Sequence, residues 1–211
     1  MTRKVTVIDY GSGNLLSISR GLEESGGTVE LTGDADRIAE AERLVLPGVG
    51  AFGKAMEQLR ARGLVQPVLD FIAGGGRFLG ICVGMQMLMD YSEEFGRHEG
   101  LGVIAGHVAA IPATDAQGAP HPVPHIGWNA LKAAGDGWRD SILGRLEPGA
   151  AAYFVHSFQA LPKSADDVLA VCDYNGRSVT AAIAKGAVTG VQFHPEKSGR
   201  VGLGILESFL A

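Results

Sequence analysis

The first half of the chain alternates short β-branched runs with stretches of helical spacing. Residues 4–9 place Val5, Val7 and Ile8 in a strand, and a turn with Gly11 and Gly13 follows. Leu15, Ile18 and Leu22 then recur every three to four positions, which predicts a helix. Residues 28–31 read as a strand, 34–40 as a short helix, and 43–46 as a buried strand that stops at Pro47-Gly48. Residues 51–73 carry two helical pieces broken around Gly63 and Pro67. An apolar strand is predicted over 77–82 and a helix over 84–91. This strand–helix alternation predicts a parallel sheet with helices on both faces, because a parallel connection has to cross the sheet.

The second half reads differently. Pro112, Pro120, Pro122 and Pro124 punctuate a loop-rich stretch. Residues 128–132, 151–156, 168–173, 178–184 and 187–193 read as strands joined by tight turns, and 199–210 as a closing helix. Asn175-Gly176 between two β runs is a hairpin signal, since both residues tolerate positive φ. The expected fold class is α/β: an open, mostly parallel sheet flanked by helices, with an antiparallel extension in the second half. No repeat, charge block or flexible linker interrupts it, so residues 1–211 are expected to form one domain.

Composition then removes whole classes of function. Hydrophobic residues are 46% of 211, enough for a sizeable core and too many for bulk disorder. The 18 basic and 23 acidic residues leave a net charge of −5, without the basic footprint of a nucleic-acid binder. Polar and apolar residues alternate at the N-terminus, where a signal peptide needs a continuous apolar stretch. The longest apolar run, 78–89, contains Gln86 and falls below the ~18 residues of a membrane span. Two cysteines cannot build a disulfide scaffold, so the expectation is a cytoplasmic protein with free thiols. Six histidines occur without ligand-spaced cysteine or histidine partners, and no metal is expected. The 31 glycines are about twice the usual share and lack a Gly-X-Y period, so they must serve turns and close backbone approaches.

Three glycine- or histidine-marked segments carry candidate chemistry. Gly80-Ile81-Cys82-Val83-Gly84 sits where a predicted strand passes into a predicted helix, the cysteine form of a nucleophile elbow. Such a turn lifts Cys82 clear of the sheet, sets it at a helix N-terminus that favours thiolate, and aims the Val83 amide at a developing oxyanion. The plainer alternative is a buried cysteine acting as a small hydrophobe. In Gln192-Phe193-His194-Pro195-Glu196-Lys197, His194 and Glu196 can supply the base that a cysteine needs and the group that orients the base. Leu46-Pro47-Gly48-Val49-Gly50 can turn backbone amides toward an anion. All three follow predicted strands, and parallel sheets bind ligands at that end. A dinucleotide loop is not present, since Gly11-Ser12-Gly13 lacks the third glycine, and no Gly-Lys-Ser/Thr loop occurs.

With these motifs the sequence resembles the class I glutamine amidotransferases, a Cys-His-Glu triad family, along its whole length. Further matching pieces are Asp9-Tyr10-Gly11-Ser12-Gly13-Asn14, Gly84-Met85-Gln86 and Glu93-Glu94. Pro47-Gly48-Val49-Gly50-Ala51-Phe52, Pro124-His125-Ile126-Gly127-Trp128-Asn129 and Tyr153-Phe154-Val155-His156-Ser157-Phe158 are similar to the branch whose ammonia goes to a separate (β/α)8-barrel cyclase. Val83 stands where the family usually has leucine and Phe158 where it often has tyrosine, both beside backbone-mediated functions.

The resemblance implies a flavodoxin-like fold and a glutaminase. By it Cys82 is the nucleophile, His194 the acid–base and Glu196 its orienter. Backbone at Val49, Gly50 and Val83 forms the oxyanion hole. Gln86, Glu94, His156 and Ser157 hold L-glutamine, and Asn14, Trp128, Asn129 and Lys197 lie on the face that docks the cyclase in a heterodimer. No cofactor, nucleic acid or membrane is implied. The other readings weighed are the glutaminase of another amidotransferase such as pyridoxal phosphate synthase, a stand-alone cysteine hydrolase of γ-glutamyl substrates, and a non-catalytic binding module. The Pro-His-Ile-Gly-Trp-Asn stretch argues against the first and the intact Cys82, His194 and Glu196 against the last. Cys172, in an apolar strand with no elbow, is read as structural.

Overall fold

A computed structural model describes residues 3–211. Its first half runs β1 (Arg3–Ile8), α1 (Leu15–Glu24), β2 (Gly27–Thr32), α2 (Ala35–Ala39), β3 (Arg43–Gly48), α3 (Phe52–Ala61), α4 (Val65–Ala73), β4 (Arg77–Cys82) and α5 (Val83–Gln86). Then come β5 (Met89–Ser92), β6 (His98–Glu99), β7 (Ile104–Ala110), β8 (His125–Ala133), β9 (Ala151–His156) and β10 (Phe158–Pro162). The chain ends with β11 (Val168–Tyr174), β12 (Arg177–Lys185), β13 (Val188–Val191) and α6 (Gly199–Leu210).

The main sheet has the order β2-β1-β3-β4-β13-β12-β11-β8-β9. The five strands from β2 to β13 run parallel, and β12, β11, β8 and β9 extend them antiparallel. This is the expected α/β class. The decisive join is β13 beside β4, with Val191 opposite Ile81. It brings the residues that follow Val191 next to those that follow Ile81, although about 110 positions separate them in the chain. Ile18 and Leu22 of α1 and Ile205, Leu206 and Phe209 of α6 are buried, and these two helices pack together. Phe52, Met56 and Leu59 give α3 the buried stripe that its spacing requires. At the β11–β12 hairpin Asn175 and Gly176 both have positive φ, 52° and 77°, as a type I′ turn demands.

Three expectations need correction. The helix expected over 84–91 is one turn long, and Met89–Ser92 is a strand. Backbone amides of Leu101, Val103 and Ile104 take the Met87 and Leu88 carbonyls, so a continuing helix has no acceptors there. The break in 51–73 lies at Gly63 alone. Pro67 is the third residue of α4, where its missing N–H costs nothing. Strands β6, β7 and β10 were not foreseen; with β5 they form a second sheet in the order β10-β7-β5-β6.

Candidate active site

Cys82 ends β4 with φ 55° and ψ −111°, a strained conformation for a residue with a Cβ. Both glycines of the elbow are dictated by crowding. A Cβ on Gly84 would come within 1.9 Å of the Leu46 carbonyl, and one on Gly80 within 2.6 Å of the Gly84 carbonyl. The helix behind Cys82 has only four residues, so its dipole is small. What remains of the expected helix-terminus effect is the set of first-turn amides, beginning at Val83, that no intrahelical carbonyl can reach.

His194 leaves β13 with its amide bonded to the Tyr153 carbonyl at 3.0 Å. A short 3-10 turn, Pro195–Lys197, folds Glu196 back under it, and the Ser198 hydroxyl fastens the His194 carbonyl at 2.6 Å. The His194 Nδ1–H donates to Glu196 Oε1 at 2.8 Å, and both side chains are buried. That bond fixes the tautomer and leaves Nε2 free to work. Burial alone would push the His194 imidazole down. The neighbouring Cys82 sulfur and the Glu196 carboxylate outweigh it and push the imidazole up to about 9.

The third segment arrives through β3, where Gly48 pairs with Cys82. The Tyr10 hydroxyl, buried and pushed up to about 12 by that burial, donates to the Pro47 carbonyl at 2.9 Å. Ser12 Oγ donates to the Val49 carbonyl at 3.2 Å, and Gly50 follows with φ 86°. Val49, Gly50 and Val83 line one cleft of about 380 Å³ with Cys82 and His194.

The four expected substrate residues line this same cleft. Gln86 donates its Nε2 to the Phe158 carbonyl at 3.1 Å and to Gln192 Oε1 at 2.9 Å. Glu94 accepts from the Phe52 amide at 2.6 Å, capping α3 with one oxygen. His156 donates Nδ1–H to the Phe158 carbonyl at 2.8 Å and accepts at Nε2 from His125 Nδ1 at 3.1 Å. Both of its ring nitrogens are engaged inside the protein, so it offers a ligand only its backbone and that of Ser157. Burial pushes His125 and His156 down to about 4. Cys172 is buried, and that burial pushes its thiol up to about 12, as suits a structural cysteine.

Of the four residues expected on a docking face, Trp128 is 59% exposed and stands edge-on to Tyr153. Ile126, two residues earlier on β8 and 57% exposed, shares its side of the strand. Lys197 is exposed next to Glu196, and Asn14 borders a small cavity together with His194 and Glu196. Asn129 is half-buried, with Nδ2 donating to the Asp173 carbonyl at 2.6 Å. Sequence reasoning gave no role to Phe95, Pro124, Val155 or Phe158, which also line the cleft. Phe95 and Pro124 lie in loops, Val155 in β9 and Phe158 at the start of β10. Apolar side chains carry no chemistry of their own, even within the matching stretches, and only the tertiary fold gathers these four. A larger cavity, about 760 Å³, opens beside Arg77 and Asp136 and contains none of the motif residues.

Residues 6–211 match the family model for glutamine amidotransferase class-I. The chain is 45% identical over 208 residues to imidazole glycerol phosphate synthase subunit HisH 1 of Legionella pneumophila (strain Lens), covering 98% of each. It is 49% identical over 208 residues to imidazole glycerol phosphate synthase subunit HisH of Salinibacter ruber, covering 98% of this chain and 93% of that one. Among solved structures, PurLQS from Thermotoga maritima superposes with a TM-score of 0.75 at 20% identity, over 100% of this chain and 98% of that one. A glutamine amidotransferase from Thermotoga maritima gives 0.61 at 17% identity, over 94% of this chain and 78% of that one. At such identities these structures speak for the fold alone.

Proposed function

The chain belongs to the glutamine amidotransferase class-I family, and we propose that it is the glutaminase subunit of imidazole glycerol phosphate synthase, with Cys82 as nucleophile. The observation that carries the site assignment is one cleft holding Cys82, His194 and the Val49–Gly50 segment, with Glu196 bonded to His194. The near full-length likeness to HisH subunits supports the specific enzyme.

The steps follow from the groups present. The Cys82 thiolate attacks the side-chain amide carbon of glutamine, and the oxyanion forms between the Val83 amide and the Val49–Gly50 peptide. Each such donor contributes ~3 kcal/mol to the transition state. His194 gives its proton to the departing nitrogen, ammonia leaves, and a glutamyl thioester remains. His194 then takes a proton from water as the water attacks, and glutamate departs with the thiolate restored. An imidazole raised to about 9 is protonated at neutral pH, as the first of these steps needs. Its charge pairing stabilises the fold fully below the ordinary histidine value, ~6.5, and is lost as pH rises through about 9.

Gln86 and Glu94 suit the α-amino end of glutamine, and the His156–Ser157 backbone suits its carboxylate. Free ammonia would protonate in water, so the product must pass directly to an acceptor enzyme. We assign that role to a (β/α)8-barrel cyclase, which forms imidazole glycerol phosphate and aminoimidazole carboxamide ribotide in histidine biosynthesis. Asn14, Trp128, Asn129 and Lys197 form the face that meets it, in a cytoplasmic heterodimer in which this chain contributes one domain.

The test uses the chain in complex with its cyclase partner. Cys82→Ala is expected to abolish glutamine-dependent synthesis while leaving synthesis from added ammonium salts within about twofold, since removing the nucleophile leaves acceptor chemistry untouched. Loss of both would overturn the division of labour.

A further inference from the structure

Gln192 has no role in the chemistry above, yet it is fully buried beside the nucleophile. A buried carboxamide is costly unless its donor and acceptor are both used. The network fixes which end of it faces which neighbour. The Phe158 carbonyl can only accept, so the Gln86 atom that meets it is Nε2. The same nitrogen donates to Gln192, which must therefore present Oε1, at 2.9 Å. The Gln192 NH2 is left against the Cys82 sulfur at 3.7 Å. Its backbone amide is bonded to the Ala181 carbonyl at 2.8 Å, which holds the residue in place from β12.

We propose that Gln192 is a positioning residue whose carboxamide holds the Cys82 sulfur with its NH2 and the Gln86 amide with its oxygen. An N–H donor favours a thiolate over a thiol or thioester, because hydrogen bonding to the charged form stabilises that form. Through the oxygen the same group sets the Gln86 side chain against the cleft. Nucleophile and substrate reader are thus registered to each other by one side chain. The proposal rests on Cys82 being the nucleophile.

Two variants of similar volume separate the two halves of the carboxamide. Gln192→Glu keeps an oxygen toward Gln86 and loses the donor to sulfur. Gln192→Met loses both. Steady-state glutaminase kinetics of the complex and iodoacetamide alkylation of Cys82 at pH 7 in the isolated chain are the two readouts. Gln192→Glu is expected to lower kcat and slow alkylation by about 10- to 100-fold, with KM within about threefold, the scale of one hydrogen bond to a charged group. Gln192→Met is expected to slow alkylation at least about tenfold and also to raise KM. If Gln192→Glu fails to fold, as thermal melting would reveal, Gln192→Met decides the matter alone. Wild-type alkylation by a folded Gln192→Met chain overturns the proposal. Should Cys82→Ser instead retain full glutamine hydrolysis, the nucleophile assignment has failed, which is a different result.

Discussion

At the scale of single residues, the site is built from two kinds of constraint. Gly84 and Gly80 are excluded volume: each lies where a Cβ would overlap a carbonyl oxygen. Gly50 is different, with φ 86° and, among the described residues beyond its two chain neighbours, no atom within 4 Å of the position its Cβ would take. Gly84→Ala is therefore expected to cost about 3 kcal/mol or more of stability in a denaturant melt, as an overpacked core does. Gly50→Ala should cost only about 1 kcal/mol, the strain of a left-handed residue with a side chain. Equal losses from the two would contradict this division. Cys82, His194 and Glu196 were all legible, because their chemistry needs particular residue types at tight local spacing. Gln192 was visible as a letter in the Gln-Phe-His-Pro-Glu run, but its partners Gln86 and Cys82 are joined to it only by the fold.

Among the elements, β8 and β9 carry the most informative pair. His125 and His156 face each other across these strands, register partners whose rings bond at 3.1 Å. Burial pushes both to about 4. Between ~6.5 and about 4 an unfolded chain takes up protons that the folded chain refuses, so stability falls as pH drops and levels off below about 4. Chemical-denaturation midpoints measured from pH 7 to 4.5 should decline, and His125→Asn should make the decline shallower. A slope unchanged by the substitution would count against the pair as its source. Element prediction succeeded where the hydrophobic period was long, as in α1 and α6. It failed over 84–91 because an apolar run without a polar face fits a helix and a buried strand equally well. Hydrogen bonds from residues 101–104 settled that ambiguity.

For the whole molecule, the parallel half of the sheet gathers the chemistry and β8 faces outward with Trp128 and Ile126 exposed. Trp128→Ala is expected to weaken the complex with the cyclase by about 30-fold or more in a binding titration, as loss of an aromatic anchor does. Cys82 alkylation in the free chain should stay at its wild-type rate. Undiminished binding would move the docking face elsewhere. The sequence by itself determined the α/β class, the elbow and the His194–Glu196 pair, because each depends on residues close together along the chain. Only the tertiary structure decided that β13 lies between β4 and β12, which delivers His194 and Gln192 to Cys82. It alone also drew Phe95, Pro124 and Phe158 into the cleft and left Trp128 at the surface. The physical reason is that strand order and burial are set by which apolar faces cover one another across the whole core. No local window of sequence contains that information.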